Sequence, residues 1–128
     1  MLPLLALAML STGAASPQEG CVPGPWMVFF DPNSSAITND AAKIVDNAID
    51  IASLCPSMHV RIAGHSDTSE RPEVAVARAR AVNNYLASRG IFVKRRHMRA
   101  FGATRLRAKT PVNTEEKQNR RVEILLLL

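Results

Sequence analysis

The pattern of apolar and polar residues along the chain predicts four strands. Residues 26–30 are apolar throughout, which suits a central strand that is covered on both faces of a sheet. Residues 58–63 alternate between apolar and polar positions, so this strand is expected to have one face in contact with water. Two further strands are predicted at residues 97–101 and 122–128. The chain therefore contains enough strand for a small sheet.

Two segments between these strands have the residue spacing of helices. In the first, Thr38 or Asn39 is suited to cap the helix, and Asp40 lies in its first turn. The second begins near Pro72 and ends at Gly90, because glycine suits the left-handed position that terminates many helices. The positions predicted to be buried are Ala41, Ile44, Val45, Ala48, Ile51, Ala52 and Cys55 in the first helix, and Val74, Ala77, Ala81, Tyr85 and Leu86 in the second.

The order of these elements predicts the fold class. Strand–helix–strand–helix–strand–strand indicates an α/β fold of the α+β sandwich type, which is a mixed four-stranded sheet with the helices packed on it. A length of 128 residues fits one such domain.

The first residues of the chain form a separate unit. Residues 2–10 are almost entirely apolar and residues 11–15 are small, as before a signal-peptidase cleavage site. We predict that residues 1–15 are an export signal, although no Lys or Arg precedes the apolar run; a buried helix is the alternative. Residues 16–25 are rich in Pro and Gly and predict an extended lead-in. No other segment is apolar for long enough to cross a membrane, so we expect no transmembrane segment in the mature chain.

The chain contains two cysteines, Cys21 and Cys55. An even pair in an exported chain predicts one disulfide, which would join the segment before the first strand to the end of the first helix. Two free buried thiols are the alternative. Cys21 is a poor candidate for lipid attachment because Gln18-Glu19-Gly20 precedes it, so we expect no lipid anchor.

The positive charge of the chain is concentrated in one region. The formal net charge is +5, and residues 74–113 contain ten Lys or Arg and no Asp or Glu. Such a region indicates an anionic partner, either a nucleic acid, an anionic glycan or a membrane surface. A solvated basic face that aids solubility accounts for the same charge equally well.

Five short motifs lie along the chain. They are residues 28–30 with the turn at 35–38, Gly64-His65-Ser66-Asp67, Arg80-Ala81 with Tyr85-Leu86, Arg89-Gly90-Ile91, and residues 119–124. Together, and behind an export signal, these motifs resemble the OmpA C-terminal domain family in their order, and they cover nearly the whole mature chain. The resemblance implies that residues 26–128 are a periplasmic, envelope-associated domain that binds peptidoglycan without catalysis.

The resemblance also implies roles for two residues. In family members, an Asp of the strand-end motif and an Arg of the second helix grip the diaminopimelate of the peptidoglycan stem peptide. Here Asp67 would bind its ammonium and Arg80, which precedes Ala81, would bind its carboxylate. A zwitterionic head group needs one anion and one bidentate cation a few ångströms apart. A structural salt bridge between Asp67 and Arg80, without any ligand, is the alternative.

The loop between these two residues departs from the family pattern. Thr68-Ser69-Glu70 follows Asp67 without the usual Gly, and the loop to Arg80 is shorter than usual. Glu73 stands where the family has an Asn, two helical turns before Arg80. Glu73 would either supply a second acid for the ligand ammonium, or repel the ligand carboxylate and occupy Arg80.

Arg120 and Arg121 enter the last strand, and in the family the equivalent residues lie beside the pocket. Successive side chains on a strand point to opposite faces, so only one of the two is expected to point inward. An arginine that braces the loop and a second that is solvated are the alternative. The full set of predicted peptidoglycan-binding residues is Asp67, Thr68, Glu73, Arg80, Arg120 and Arg121.

The sequence does not predict an enzyme or a metal site. His65 lies near Asp67, but it has no ligand spacing with His59 or His97, and a hydrogen-bonded scaffold histidine is the favoured interpretation. We expect no cofactor, because no Ser–His–Asp order, phosphate loop or zinc motif occurs. Peptidoglycan is the expected partner, with envelope proteins as further candidates and no nucleic acid. The alternative functions are a basic binder of nucleic acid or another anionic polymer on the same fold, and a hydrolase that uses His65 and Asp67.

Overall fold

The computed structural model describes residues 20–128 of the chain. The predicted export signal, residues 1–15, and residues 16–19 of the predicted lead-in lie outside the described residues. The main elements in chain order are β1 (Trp26–Phe29), α1 (Asn39–Leu54), β2 (His59–His65), α2 (Glu73–Ser88), β3 (Arg96–Gly102) and β4 (Arg121–Leu127). Two short 3-10 helices, Val93–Arg95 and Lys117–Asn119, precede β3 and β4.

The four strands form one mixed sheet in the order β1-β4-β2-β3. β4 is antiparallel to both of its neighbours, β1 and β2, whereas β2 and β3 are parallel. Both helices pack on one face of this sheet, where Val28, Ile62 and Ile124 from three strands share a core with them. The predicted α+β arrangement of a mixed four-stranded sheet and packed helices is confirmed.

β1 lies at an edge of the sheet, so its predicted central position is wrong. Val28 is buried in the core, whereas Met27 and Phe29 on the opposite face are only half-buried. A run of apolar residues indicates that a strand is hydrophobic. Whether the strand is central or at an edge depends on how many other strands pair with it. The register that joins Val28 to Val122 of β4 settles that position.

α1 follows its predicted pattern closely. Thr38 caps the helix, because its hydroxyl accepts a hydrogen bond from the backbone N–H of Ala41 at 3.2 Å. Ile44 is the main exception and is 38% exposed, while Ile49 is buried instead. The buried residues of α1 are Ala41, Val45, Ala48, Ile49 and Ala52.

α2 begins directly after Pro72, as predicted, but of its predicted buried positions only Leu86 is fully buried, and Tyr85 packs against the core while partly buried. The buried residues of α2 are Ala75, Arg78, Ala79, Val82 and Leu86, whereas Val74, Ala77 and Ala81 are half-buried. The physical reason is Gly64 of β2, over which the helix passes so closely that a Cβ at this position would lie 2.9 Å from the Cβ of Ala79. Only small side chains fit at this crossing, and this requirement sets the rotation of the helix about its axis.

The predicted disulfide between Cys21 and Cys55 is confirmed, with 5.9 Å between the two Cα atoms. Cys55 follows the last residue of α1 and is buried. The carbonyl of Pro23 accepts a hydrogen bond from the N–H of Leu126 at 2.9 Å. The chain therefore enters the domain at the end of the sheet where α1 and β4 stop.

Candidate functional site

Asp67 lies in the loop that follows β2 and is completely buried. One carboxylate oxygen accepts hydrogen bonds from the backbone N–H and the hydroxyl of Ser69, at 2.9 Å and 2.6 Å. The other accepts from the N–H of Glu116 at 3.0 Å and from the Arg120 guanidinium at 3.2 Å. Burial raises the pKa of Asp67, but the hydrogen bonds from Ser69, Glu116 and Arg120 outweigh it and leave the pKa below its ordinary value. The carboxylate is therefore charged at neutral pH.

The arginine of α2 that faces this loop is Arg78, which is completely buried. Its Nε donates to the carbonyl of Ser34 at 2.8 Å, and its two terminal nitrogens donate to the carbonyls of His65 and Asp31 at 3.2 Å and 3.1 Å. The same two nitrogens also donate to the carboxylate of Glu70 at 2.6 Å and 2.5 Å. All five N–H groups of the guanidinium are thereby engaged.

The carboxylate of Glu70 fills the space between Arg78 and the Asp67 loop. Besides its two hydrogen bonds from Arg78, it accepts from the backbone N–H of Asp67 at 3.0 Å and of Asn33 at 2.7 Å. The side chains of Glu70 and Arg78 are both 0% exposed. The site is thus built to hold a carboxylate through four N–H donors, and the protein's own carboxylate occupies it.

Arg80 and Glu73, two of the predicted site residues, lie outside this cluster. Arg80 is exposed on the surface of α2, two residues beyond Arg78. Glu73 is also exposed, with its nearest charged partner Arg71 at 3.4 Å. The structure therefore does not bring Arg80 to Asp67, because the close contact of α2 with Gly64 turns Arg78 inward and Arg80 outward.

Thr68, a third predicted residue, ties together two loops beside the site. Its hydroxyl donates to the carbonyl of Pro111 at 2.7 Å and accepts from the N–H of Thr114 at 3.0 Å. Its carbonyl accepts from the N–H of Asn113 at 3.2 Å. These bonds hold residues 111–114 against the Asp67 loop.

Arg120 is the inward member of the Asn119-Arg120-Arg121 motif. In addition to its bond to Asp67, it donates from Nε to the carbonyl of Phe30 at 3.0 Å. The buried Asn119 accepts at Oδ1 from the N–H groups of Arg107 and Ala108, at 2.8 Å and 2.9 Å. The motif therefore connects the site to β1 and to the basic segment before β4.

Arg121 points to the other face of the sheet, where it donates to Glu123 at 2.6 Å. His65 is buried on that face as well, with its ring stacked on Phe101 at a centroid distance of 5.4 Å. Burial, reinforced by the positive charge of Arg121, lowers the pKa of His65 from 6.5 to about 4, so the imidazole is neutral at pH 7. Its Nδ1 has no hydrogen-bond partner among the described residues, so the scaffold role of His65 rests on packing rather than on a bond to Nδ1.

Within residues 20–128, no group of three or more His, Cys, Asp or Glu side chains is arranged to hold a metal ion. In the same part of the chain, no helix combines the length and apolar character needed to span a bilayer.

Sequence reasoning missed Arg78 and Glu70. The signal for Arg78 was present, because Arg78-Ala79 and Arg80-Ala81 are two copies of the same dipeptide in tandem. Choosing between them needs the rotation of α2, which the alternation of Ala with larger residues at 74–82 leaves undetermined. Because Arg78 is the inward residue, the loop from Asp67 is shorter still than predicted, and this shortness brings Glu70 into the site.

Comparison with known proteins agrees with this fold. A model of the OmpA family matches residues 29–120. The peptidoglycan-associated lipoprotein of Brucella melitensis biotype 1 is 32% identical over 124 residues, which cover 91% of this chain and 74% of that protein.

Two solved structures share the architecture. The crystal structure of the peptidoglycan-associated lipoprotein from Burkholderia pseudomallei has a TM-score of 0.70 at 21% identity and covers 78% of this chain and 88% of that one. The C-terminal domain of Helicobacter pylori MotB has a TM-score of 0.70 at 24% identity, covering 82% of this chain and 86% of the other. Because the family model runs from the end of β1 to the residue before β4, and the Brucella relative covers nearly all of the sequence, this chain belongs to the OmpA family.

Proposed function

We propose that this chain is a non-catalytic peptidoglycan-binding module that resides in the periplasm and associates with the cell envelope. The Brucella and Burkholderia relatives are named peptidoglycan-associated lipoproteins, and the chain belongs to their family. The chemistry of the site supports binding rather than catalysis. Its charged groups are held in hydrogen-bonded pairs, and the nearby His65 is packed against an aromatic ring.

The observation that carries the proposal is the buried carboxylate of Glu70 on Arg78, next to the charged Asp67. Four N–H donors surround this carboxylate, in a site that also contains a second acid. The head group of diaminopimelate carries one carboxylate and one ammonium. We assign the ligand carboxylate to Arg78 and the ligand ammonium to Asp67, in place of the Arg80 clasp expected from sequence.

Binding in this form requires an exchange of carboxylates. Arg78 has no free N–H group, so the ligand carboxylate must displace Glu70, whose side chain then moves into water. The exchange replaces one buried ion pair with another and leaves no charge unpaired. Self-occupation nevertheless weakens the apparent affinity, because only the fraction of molecules with Glu70 displaced is competent to bind.

The remaining predicted residues take supporting or separate roles. Arg120 holds Asp67 in position, and Thr68 holds the loop that covers it. Arg80 and Glu73 are exposed beyond the site, and Arg121 is paired with Glu123 on the opposite face of the sheet.

Co-sedimentation with purified diaminopimelate-type peptidoglycan tests the proposal. We expect the wild type to bind, Asp67→Asn to bind much less, and Arg80→Ala to bind like the wild type. Glu70→Ala frees Arg78 and should bind about tenfold more tightly, or more, because the competing carboxylate is removed. Peptidoglycan with lysine in place of diaminopimelate is the matched ligand control, since it lacks the carboxylate that Arg78 would bind.

Circular dichroism on each variant establishes that it is folded before its binding is interpreted. If Arg80→Ala loses binding while Glu70→Ala leaves it unchanged, the ligand is held at Arg80 and the assignment to Arg78 is wrong. If folded wild type does not sediment with either peptidoglycan, the proposed function itself is wrong.

A further inference from the structure

Exposed apolar side chains collect at the end of the molecule opposite the site. We call this region the distal end: it is where α1, α2 and β4 stop and where β2 and β3 begin. Leu54 is 68% exposed, Phe92 is 77% exposed and Val93 is 71% exposed. Burial of side chains of this type is normally favourable, so three neighbouring exposed ones indicate a surface that meets something apolar.

Arg95 holds together the two backbone segments that carry these side chains. Its guanidinium donates to the carbonyls of Met58, Ala52 and Cys55, at 2.8 Å, 3.0 Å and 2.8 Å. These bonds hold the 3-10 helix Val93–Arg95 against the last turn of α1, which carries Leu54. The apolar tips are therefore presented by a braced turn and a helix end.

The distal end is also positively charged. The segments that form it, residues 21–26, 53–61, 88–97 and 125–128, contain five Lys or Arg and no Asp or Glu. Arg89 is paired with Asp46 of α1 at 3.3 Å, and Arg95 binds the three carbonyls described above. The exposed Lys94 lies next to Val93, and the exposed Arg61 lies near the start of β2. The acids nearest along α1, Asp46 and Asp50, precede its last turn.

We propose that the distal end is a docking surface for an anionic phospholipid bilayer. The side chains of Phe92, Leu54 and Val93 would contact the acyl chains of such a bilayer. The lysine and arginine side chains around them would contact its anionic head groups. A glycan would engage the cations but would leave Leu54, Phe92 and Val93 in water. A nucleic acid would engage the cations and stack a base on Phe92, but it would leave the aliphatic Leu54 and Val93 in water. The proposal goes beyond peptidoglycan binding and does not depend on it.

The path of the chain agrees with this orientation. The disulfide of Cys21 to Cys55 and the hydrogen bond from Leu126 to Pro23 bring the amino-terminal segment into the domain at the distal end. Residues 1–19 are therefore joined to the domain on the side that would face the bilayer. Asp67 and Glu70 lie at the other end of β2, so a docked domain would present its site away from the membrane.

Fluorescence of the full chain on vesicles with brominated acyl chains tests this proposal. The variant Phe92→Trp adds an indole at the distal end. The matched variant Val112→Trp adds an indole far from the distal end, at a valine that is 79% exposed in the loop beside the site. The wild type corrects for Trp26. We expect phosphatidylglycerol vesicles to quench the added indole of Phe92→Trp and to leave that of Val112→Trp unchanged. Adding Lys94→Glu to Phe92→Trp should reduce the quenching several-fold, whereas adding Lys43→Glu, which alters an exposed lysine of α1, should not.

This comparison holds even when residues 1–19 themselves attach to the vesicles, because the variants differ only in where the indole lies. Equal quenching of the two added indoles would overturn the proposal, and so would the absence of quenching from both. If vesicles do not quench Phe92→Trp, and Lys94→Glu abolishes binding of the protein to an anionic glycan or a nucleic acid, the distal end binds that polymer instead of a bilayer.

Discussion

The two ends of this small domain differ in whether their charged side chains are buried or exposed. At the site end, where β2 stops and α2 begins, two acids and two arginines are buried and paired: Asp67 with Arg120, and Glu70 with Arg78. At the distal end, Lys94 and Arg61 are exposed, and apolar side chains are exposed beside them. The charged side chains of the site end are paired with one another, whereas those exposed at the distal end are available to solvent or to a partner.

The difference shows that a cluster of charged residues does not by itself identify an open binding surface. Buried ion pairs are neutral overall and stabilise a particular arrangement, so a ligand must compete with an existing partner. Within residues 20–128, no acid forms an ion pair with the exposed Lys94 or Arg61. The two ends should therefore respond differently to mutation: large losses of stability are expected from the buried ion pairs of the site end, and small ones from the exposed side chains of the distal end.

The largest expected effect is the loss of the buried arginine. Arg78→Ala removes the cationic partner of Glu70 and leaves its buried carboxylate with only two backbone N–H donors, so the free energy of unfolding should fall by about 3–5 kcal/mol. Arg80→Ala, at an exposed position on the same helix, should change it by no more than about 0.5 kcal/mol. Urea unfolding of the two variants beside the wild type measures both values.

The double variant Arg78→Met/Glu70→Leu removes both charges and should recover part of the loss. Recovery is incomplete because the carbonyls of Ser34, His65 and Asp31 then lose their donor. Equal losses for Arg78→Ala and Arg80→Ala would show that the inward orientation of Arg78 is wrong.

The disulfide gives the next largest effect and tests whether the distal end is fixed covalently. Replacing both Cys21 and Cys55 by Ser should lower the free energy of unfolding by about 2–4 kcal/mol, because the unfolded chain loses a closed loop. Urea unfolding of the oxidised protein and the double variant compares them directly. Peptidoglycan binding should survive where the variant is still folded, since the site lies at the opposite end. A difference below about 0.5 kcal/mol, as for an ordinary surface change, would contradict the prediction.

A pH effect of similar size is expected from His65. The folded protein holds the imidazole neutral with a pKa of about 4, whereas the unfolded chain binds the proton near 6.5. The contribution of the neutral His65 to the free energy of unfolding is therefore fully present above pH 6.5 and is lost as the pH falls towards 4. The loss between pH 7 and pH 4.5 should be about 2–3 kcal/mol.

The variant His65→Leu is the control for this pH dependence. It retains an apolar side chain against Phe101 and removes the titrating group, so its stability should vary less between the two pH values than that of the wild type. Urea unfolding at each pH measures the difference. Identical pH dependence in the two proteins would rule out His65 as its source.

The smallest effect on stability is expected for the exposed apolar side chains of the distal end. The double variant Phe92→Ser/Val93→Ser alters two exposed side chains, so the free energy of unfolding should change by no more than about 0.5 kcal/mol per site. Thermal unfolding in buffer and in the presence of anionic vesicles separates folding from docking. A large destabilisation in buffer would mean that Phe92 and Val93 belong to the core and would remove the contrast between the two ends.

Several features of the molecule were predictable because they depend on neighbours in the chain. Thr38 at the start of α1 and Pro72 before α2 act within a single turn. The order of elements follows from the apolar pattern. The disulfide was predictable for a different reason: the sequence has two cysteines, so only one pairing within the chain is possible, although they are 34 residues apart. Asp67 also follows directly from its motif at the end of β2, and its burial agrees with that position.

The list of elements, the cap of α1, the cysteine pair and the position of Asp67 at the end of β2 could therefore be deduced from the sequence. Three features could be known only from the folded molecule: β1 lies at an edge of the sheet, Arg78 rather than Arg80 faces inward, and the carboxylate of Glu70 is bound by Arg78. These outcomes depend on contacts between segments that are distant in sequence. The crossing of α2 over Gly64 rotates the helix, and backbone N–H groups from two separate loops complete the carboxylate site. Alanine occupies every second position of α2 between residues 75 and 81, so this stretch has no strong apolar face of its own, and the sheet beneath it sets its orientation.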